Sequence, residues 1–201
     1  SPEILTMTDY LPLADDDQLP KPATDHTAKS QQQFKDLLDY SNRQSFEDAK
    51  RGFIASLPTL TIPHDRGNRD AFDLTALQFL EDDAPDTVNP SLWRQAQLNA
   101  MHHGLYEVVD GIYQVRSFDI ANMTIVRGTR GWIVIDPLTS SETSRAALAL
   151  ANQHLGERPV TAVIHTHSHA DHFAGVLGVI TAEQAASGEV QVIAPRDFVN
   201  E

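Results

Sequence analysis

The sequence predicts an α/β layered domain entered through a segment of short helices, and three observations carry that expectation. Residues 1 to about 104 show helical spacing interrupted by polar loops. From Leu105 onward, two hairpin patterns give way to alternating helix and strand. Finally, the apolar run VTAVI empties into HTHSHADH, residues 165–172, which packs four histidines and an aspartate into eight positions. Open α/β sheets gather their ligands just past such strand ends.

The elements follow in chain order. LPLADDDQLPKPATDH is rich in Pro and Asp and reads as an extended arm. TAKSQQQFKDLLDYS places Phe34, Leu37, Leu38 and Tyr40 near helical spacing. SFEDAKRGFIASLP reads as a helix with Ser45 and Asp48 in a capping-box arrangement and a stop at Pro58. DLTALQFLEDD adds a short helix with Leu74, Leu77 and Leu80 on one face. NPSLWRQAQLNAMHHG is the best helix of this part: Asn89 suits the cap, Pro90 the first turn and Gly104 the end. Leu92, Trp93, Ala96 and Met101 are its candidate buried side, and His102 and His103 are expected to cap its C-terminus.

Beyond Gly104, LYEVVDGIYQVRS reads as a hairpin around Asp110-Gly111, and MTIVRG with GWIVID as a second one turning near Gly128–Gly131. The GTRG turn lacks both the spacing and the Lys of a phosphate loop. SSETSRAALALANQHLG is a helix with Leu148, Leu150 and Leu155 inside and Gly156 after it. PVTAVIHTH is continuously apolar up to its histidines, as in a strand covered on both faces. DHFAGVLGVITAEQAASG reads as one helix stopped by Gly188, and VQVIAP as the next strand.

Composition narrows the function classes. A chain of 201 residues makes one domain or two. A formal charge of −13 argues against nucleic acid, whose phosphates want a net basic face, and disfavours anionic lipid. No apolar run approaches the roughly 18 residues of a membrane span. There is no cysteine, so a metal here has to use imidazole and carboxylate. SPEILTM has neither an initiator Met nor a signal-peptide layout.

HTHSHADH has a metal reading with a physical basis. His167 and His169 are two apart, so an extended backbone turns both imidazoles one way. Asp171 and His172 follow in a turn that serves a neighbouring position. Hydrolytic two-metal sites hold their ions about 3.5–4 Å apart, and a sulfur-free donor set suits Zn²⁺ first, then Mn²⁺ or Fe. A polar surface loop would not require this ordered string after a buried strand. His165 still belongs to the strand and is assigned a supporting or packing role. Asp136, ending WIVIDP, has two readings: an acceptor for a ligand histidine's other N–H, or a turn Asp before Pro137. Asn122 and Met123 either face the site or serve as turn and core residues. His26, His64 and His154 carry no pattern.

His167, His169, Asp171 and His172 match the signature of the metallo-β-lactamase superfamily, and the strand order before them resembles its first half. The stretches DAKRGFIASLP, FLEDDAPDTVNPSLWRQAQLN, HGLYEVVDGIYQVRSFDIANMTIV and GWIVIDPLTSSET closely resemble bacterial alkylsulfatases that act on detergents such as dodecyl sulfate. The resemblance implies the first half of an αββα sandwich over residues 105–201, preceded by an arm and short helices over 1–104 that pack on it. It implies hydrolysis of alkyl sulfate esters at two Zn²⁺ ions, with His167 and His169 on one and Asp171 and His172 on the other, and Asp171 as a catalytic residue. A lactonase, a phosphodiesterase and a non-catalytic metal-binding module are the rival readings. Further implications are a homodimer in full-length form and a periplasmic or secreted location. In the family, two glutamates and further histidines come from later in the chain. The expectation is therefore an N-terminal portion that alone binds zinc weakly and turns over no ester.

Overall fold

The computed structural model describes residues 21–199, so residues 11–20 of the expected arm lie outside the described residues. Helix α1, Asp25–Leu37, is capped by the Thr24 side chain, which accepts from the Thr27 N–H. Its spacing is helical as expected, yet it buries none of its residues, and Phe34 and Leu37 stay exposed.

The next helix is shorter than the sequence pattern indicates. Helix α2 covers only Gln44–Ala49, and Ser45 does not cap it: the residue preceding the helix is Arg43, and Asn42 accepts from the Gln44 N–H. Gly52 then turns the chain at φ +74, where a Cβ would lie 1.9 Å from the Glu107 carbonyl oxygen. Aromatic and β-branched residues favour a pleated backbone, and strand β1, Phe53–Ala55, forms where the helix was expected to continue. Strands β2 (Thr61–Pro63) and β3 (Asp70–Asp73) make a small separate hairpin that the sequence pattern did not announce.

Leu74–Glu81 is a 3₁₀ helix rather than an α-helix, capped by Asp73 and burying Leu74 and Leu80. Helix α3, Pro90–Ala100, has the expected cap, with Asn89 accepting from the Ser91 N–H and Pro90 in the first turn. It ends at Ala100, before Gly104, which instead opens strand β4 (Gly104–Val109) at φ +145. Leu92 and Met101 are exposed, so its buried side is narrower than expected.

Strands β4 and β5 (Ile112–Arg116) form the hairpin around Asp110-Gly111, and β6 (Met123–Arg127) and β7 (Trp132–Ile135) form the second. Alternation sets the buried face: Tyr113, Val115, Met123, Ile125, Trp132 and Val134 point into one core. Helix α4, Ser141–Leu155, starts in a capping box between Ser140 and Thr143 and ends at Gly156. Leu150 is buried and Leu148 and Leu155 partly so, but small residues (Ser144, Ala147, Ala151) carry most of its buried side.

Strand β8, Val160–Ile164, runs parallel to β7, and β9, Gln191–Ile193, runs parallel to β8. The seven-stranded sheet has the order β1-β4-β5-β6-β7-β8-β9, antiparallel up to β7. Between β8 and β9 the expected single helix is absent. In its place stand 3₁₀ turns at Ala170–His172 and Val176–Gly178 and helix α5, Ala182–Ser187. The cause is close packing: a Cβ on Gly178 would sit 2.1 Å from Ser144 Oγ and 2.2 Å from the Ser141 carbonyl oxygen. Ser144 Oγ also donates to the Gly175 carbonyl at 2.5 Å, holding the segment against the first turn of α4.

Candidate metal centre

Strands β7 and β8 lie side by side and point the same way, so the residues that follow them emerge at one edge of the sheet. Asp136 follows β7, and the HTHSHADH segment follows β8. Asp136 has φ +55, and Leu138, two residues on, has φ +64. Non-glycine residues in this region cost energy and are tolerated where surrounding contacts hold them.

Those contacts are specific. Asp136 Oδ1 accepts from the Thr166 N–H at 2.8 Å, and Oδ2 accepts from the Thr166 hydroxyl at 2.6 Å and from His172 Nδ1 at 2.9 Å. A carboxylate only accepts, so the proton of that last bond sits on Nδ1, and Nε2 of His172 is left for another partner. Burial pushes the Asp136 carboxyl up, but the hydrogen bonds from Thr166 and His172 outweigh it and hold the group below its usual value. Of the two readings of Asp136, the structure supports the acceptor that orients a histidine.

His172 Nε2 lies 3.3 Å from Asp171 Oδ2. A carboxylate and an imidazole lone pair at that distance call for positive charge between them, whether a proton or a metal ion. The His167 ring is centred 4.0 Å from that of His172 and 4.7 Å from that of His169. The four expected residues thus form one cluster at the sheet edge. One donor atom each from Asp136, His167 and His172 lies within 4.8 Å of the others, which is the spacing of a shared cation. Asp136 is better placed behind the ligands than among them, because both its oxygens are already engaged. An imidazole and carboxylate set with one histidine already oriented fits zinc.

The cluster forms by a different local route from the expected extended one. Strand β8 stops at Ile164, the chain bends at residues 167–168, and Asp171 and His172 sit in the expected turn, which is 3₁₀. His165 is buried; its N–H donates to the Ile193 carbonyl and its ring stacks on Phe198, 5.5 Å between centroids. It packs, as expected. Met123 is core and Asn122 is exposed. His102 and His103 do not cap α3; both are buried in the link to β4, where His103 Nδ1 meets Ser56 Oγ at 2.5 Å and the ring stacks on Phe118. They follow the C-cap Met101 directly, but both rings are buried, and that of His103 is held by Ser56 and Phe118.

Two supporting residues carry no motif of their own. Thr166 is hidden between two histidines, although its position between β8 and His167 was the available signal. Asp119 is buried in the β5–β6 connection and accepts from the Thr139 N–H and hydroxyl and from the Thr143 hydroxyl. It pins that connection to Thr139, three residues past Asp136, and to Thr143 in the first turn of α4.

This sheet and cluster agree with the comparisons. Residues 116–200 match the metallo-beta-lactamase superfamily. Over most of its length the chain is similar to alkylsulfatases. The chain is 46% identical over 181 residues to a linear primary-alkylsulfatase of a Pseudomonas species, covering 89% of this chain and 27% of the relative. It is 47% identical over 180 residues to an (R)-specific secondary-alkylsulfatase of a Pseudomonas species, with coverage of 89% and 27%. An alkyl/aryl-sulfatase of Saccharomyces cerevisiae is 45% identical over 174 residues, at 86% and 27%, so the likeness is not confined to bacteria. The solved structure of the inverting sec-alkylsulfatase Pisa1 from a Pseudomonas species superposes with a TM-score of 0.80 at 47% identity, over 90% of this chain and 28% of that one. The chain therefore spans little more than a quarter of the length of these relatives.

Proposed function

We propose that this chain provides the metal-binding sheet edge of a hydrolase that cleaves alkyl sulfate esters to an alcohol and inorganic sulfate. The observation that carries the proposal is identity of 45–47% to three named sulfatases across most of the chain, together with the clustered His167, His169, Asp171 and His172. In this reading His167 and His169 hold one zinc and Asp171 with His172 a second, and the remaining ligands come from outside this chain. Residues 1–104 act as a support packed on the catalytic part, and the whole enzyme is a homodimer.

Bound zinc supplies water acidified towards ~7 and neutralises charge on the ester oxygens. The chain's own residues prepare for this. Asp136 fixes the tautomer of His172, and Thr166 fixes Asp136. Asp171 presents its carboxylate beside His172 Nε2, where the two would hold the second zinc. The Gly175–Gly178 packing against α4 keeps the turn bearing both residues from drifting.

The test is sulfate release from dodecyl sulfate by a polypeptide carrying this chain, beside a lactone and a phosphate bis-ester as controls. Release from the sulfate ester alone is expected, and Asp171→Ala is expected to abolish it. Retained hydrolysis by Asp171→Ala, or turnover of only the lactone or bis-ester, overturns the assignment.

A further inference from the structure

A buried carboxylate is expensive unless donors fill its oxygens, and both oxygens of Asp119, 8% exposed, are filled. Oδ1 accepts from the Ile120 N–H and from the Thr139 hydroxyl, each at 2.7 Å. Oδ2 accepts from the Thr139 N–H at 3.0 Å and from the Thr143 hydroxyl at 2.8 Å. Each oxygen therefore meets one backbone N–H, a group that only donates. An asparagine of the same shape would set its NH₂ against one of those two N–H groups, whichever way the amide is flipped. The position asks for a carboxylate. Its donors come from the β5–β6 connection, from the segment after β7 and from the first turn of α4, where Thr143 also closes the capping box with Ser140. A negative charge there suits the positive N-terminal end of a 15-residue helix.

The turn after β7 is the part of the chain that needs holding. Asp136 at φ +55 and Leu138 at φ +64 both lie in the left-handed region, where a side chain costs energy. Two contacts keep them there. The Gly175 N–H donates to the Leu138 carbonyl at 2.9 Å, packed so closely that a Cβ on Gly175 would lie 2.1 Å from the Pro137 carbonyl oxygen. Asp119 grips the next residue, Thr139, by both its N–H and its hydroxyl. The left-handed backbone at Asp136 aims its carboxylate at Thr166 and at His172 Nδ1. A return to the extended region would swing it off both.

We infer that Asp119 is a positioning residue for the metal centre: through Thr139 it keeps the turn of residues 136–139 in its left-handed form, and so keeps Asp136 aimed at His172. The inference rests on the zinc-binding part of the proposed function and not on which ester is cleaved.

The experiment uses the full polypeptide carrying this chain, stripped of metal. It is titrated with zinc against a chromophoric chelator, and with cobalt(II), whose visible absorption reports ligand geometry. A partner directly behind a metal-bound histidine is worth about 10–100-fold in affinity, and Asp119 stands one link further back, so Asp119→Asn is expected to weaken zinc binding about three- to tenfold and to change the cobalt bands. Leu150→Ala, in the buried side of the same helix α4, supplies a purely structural loss. It should lower the thermal midpoint while leaving zinc affinity and cobalt bands at the parent values. Thr139→Val, at an exposed position, removes the hydroxyl bond and keeps the backbone one. It should weaken zinc in the same direction, and Thr139→Ser should restore the parent value; this pair decides the matter if Asp119→Asn does not fold. Parent zinc affinity and cobalt bands in a folded Asp119→Asn polypeptide, no difference between Thr139→Val and Thr139→Ser, or an equal zinc loss in Leu150→Ala overturns the inference. A parent polypeptide that takes up no zinc defeats the metal reading and this inference together. The expected zinc and cobalt changes with no sulfate released from dodecyl sulfate keep the role of Asp119 and defeat the sulfatase reading alone.

Discussion

Replacing Asp136 by Asn isolates one hydrogen bond of the site. The amide keeps an acceptor for the Thr166 N–H, and the Thr166 hydroxyl can rotate to accept from the new NH₂. His172 has no such freedom. Its Nδ1–H, 2.9 Å from the carboxylate in the parent chain, would face another donor. The imidazole responds by moving its proton to Nε2, the nitrogen that points at Asp171, and so loses the lone pair a cation needs. A hydrogen bond to a charged partner is worth about 1.5–3 kcal/mol, which converts to a ten- to hundredfold loss of zinc affinity, as found for partners behind metal-bound histidines. Competition against a chromophoric chelator measures the affinity, and ¹⁵N chemical shifts of the ring report the tautomer. Unchanged zinc affinity, with Nδ1 still protonated in a folded Asp136→Asn chain, would refute the role assigned to Asp136.

Two further outcomes test the fold around the site. Burial pushes both His102 and His103 below the ordinary imidazole value of 6.5. Folded chains thus keep them neutral where unfolded chains take up protons, and stability is full above pH 6.5 and lost below it. The urea midpoint should hold between pH 8 and 7 and fall below 6.5, by at most about 1.4 kcal/mol per pH unit for each histidine, and the double His102→Gln, His103→Gln variant should lose that slope. Gly178→Ala should lower the thermal midpoint by an amount equivalent to about 1–3 kcal/mol, since its methyl would meet Ser144 Oγ and the Ser141 carbonyl; an unchanged midpoint would mean that the contact relaxes freely.

From β4 to β8 the fold was legible because each element there follows one rule. Alternation marks β5 to β7, Asp110-Gly111 marks a hairpin, and the metal string begins where an apolar strand stops. Where two rules compete, the pattern misled. The segment from Ser45 to Pro58 has helical spacing, but Gly52 must pass within contact of Glu107, and Phe53 then pairs with Tyr106, 53 residues away in sequence. The segment after His172 has helical composition, yet Gly175 and Gly178 mark places where neighbouring backbone lies too close for a regular helix. The β2–β3 hairpin has only three and four residues, too short to leave a periodic trace. At the site, the histidines and Asp171 announce themselves, while Thr166 and Asp119 matter only through partners that the chain brings near in three dimensions.

The parallel pairing of β7 with β8 also sets a timetable. Asp136 meets a residue 36 positions later, and side-by-side strands of like direction can form only once the connecting helix has crossed over. Closing so long a loop is a slow step compared with hairpin formation. The nascent chain therefore holds its histidines together in sequence long before any of them is aimed. An ion arriving early would find loose imidazoles, and one arriving after the crossover would find His172 already oriented.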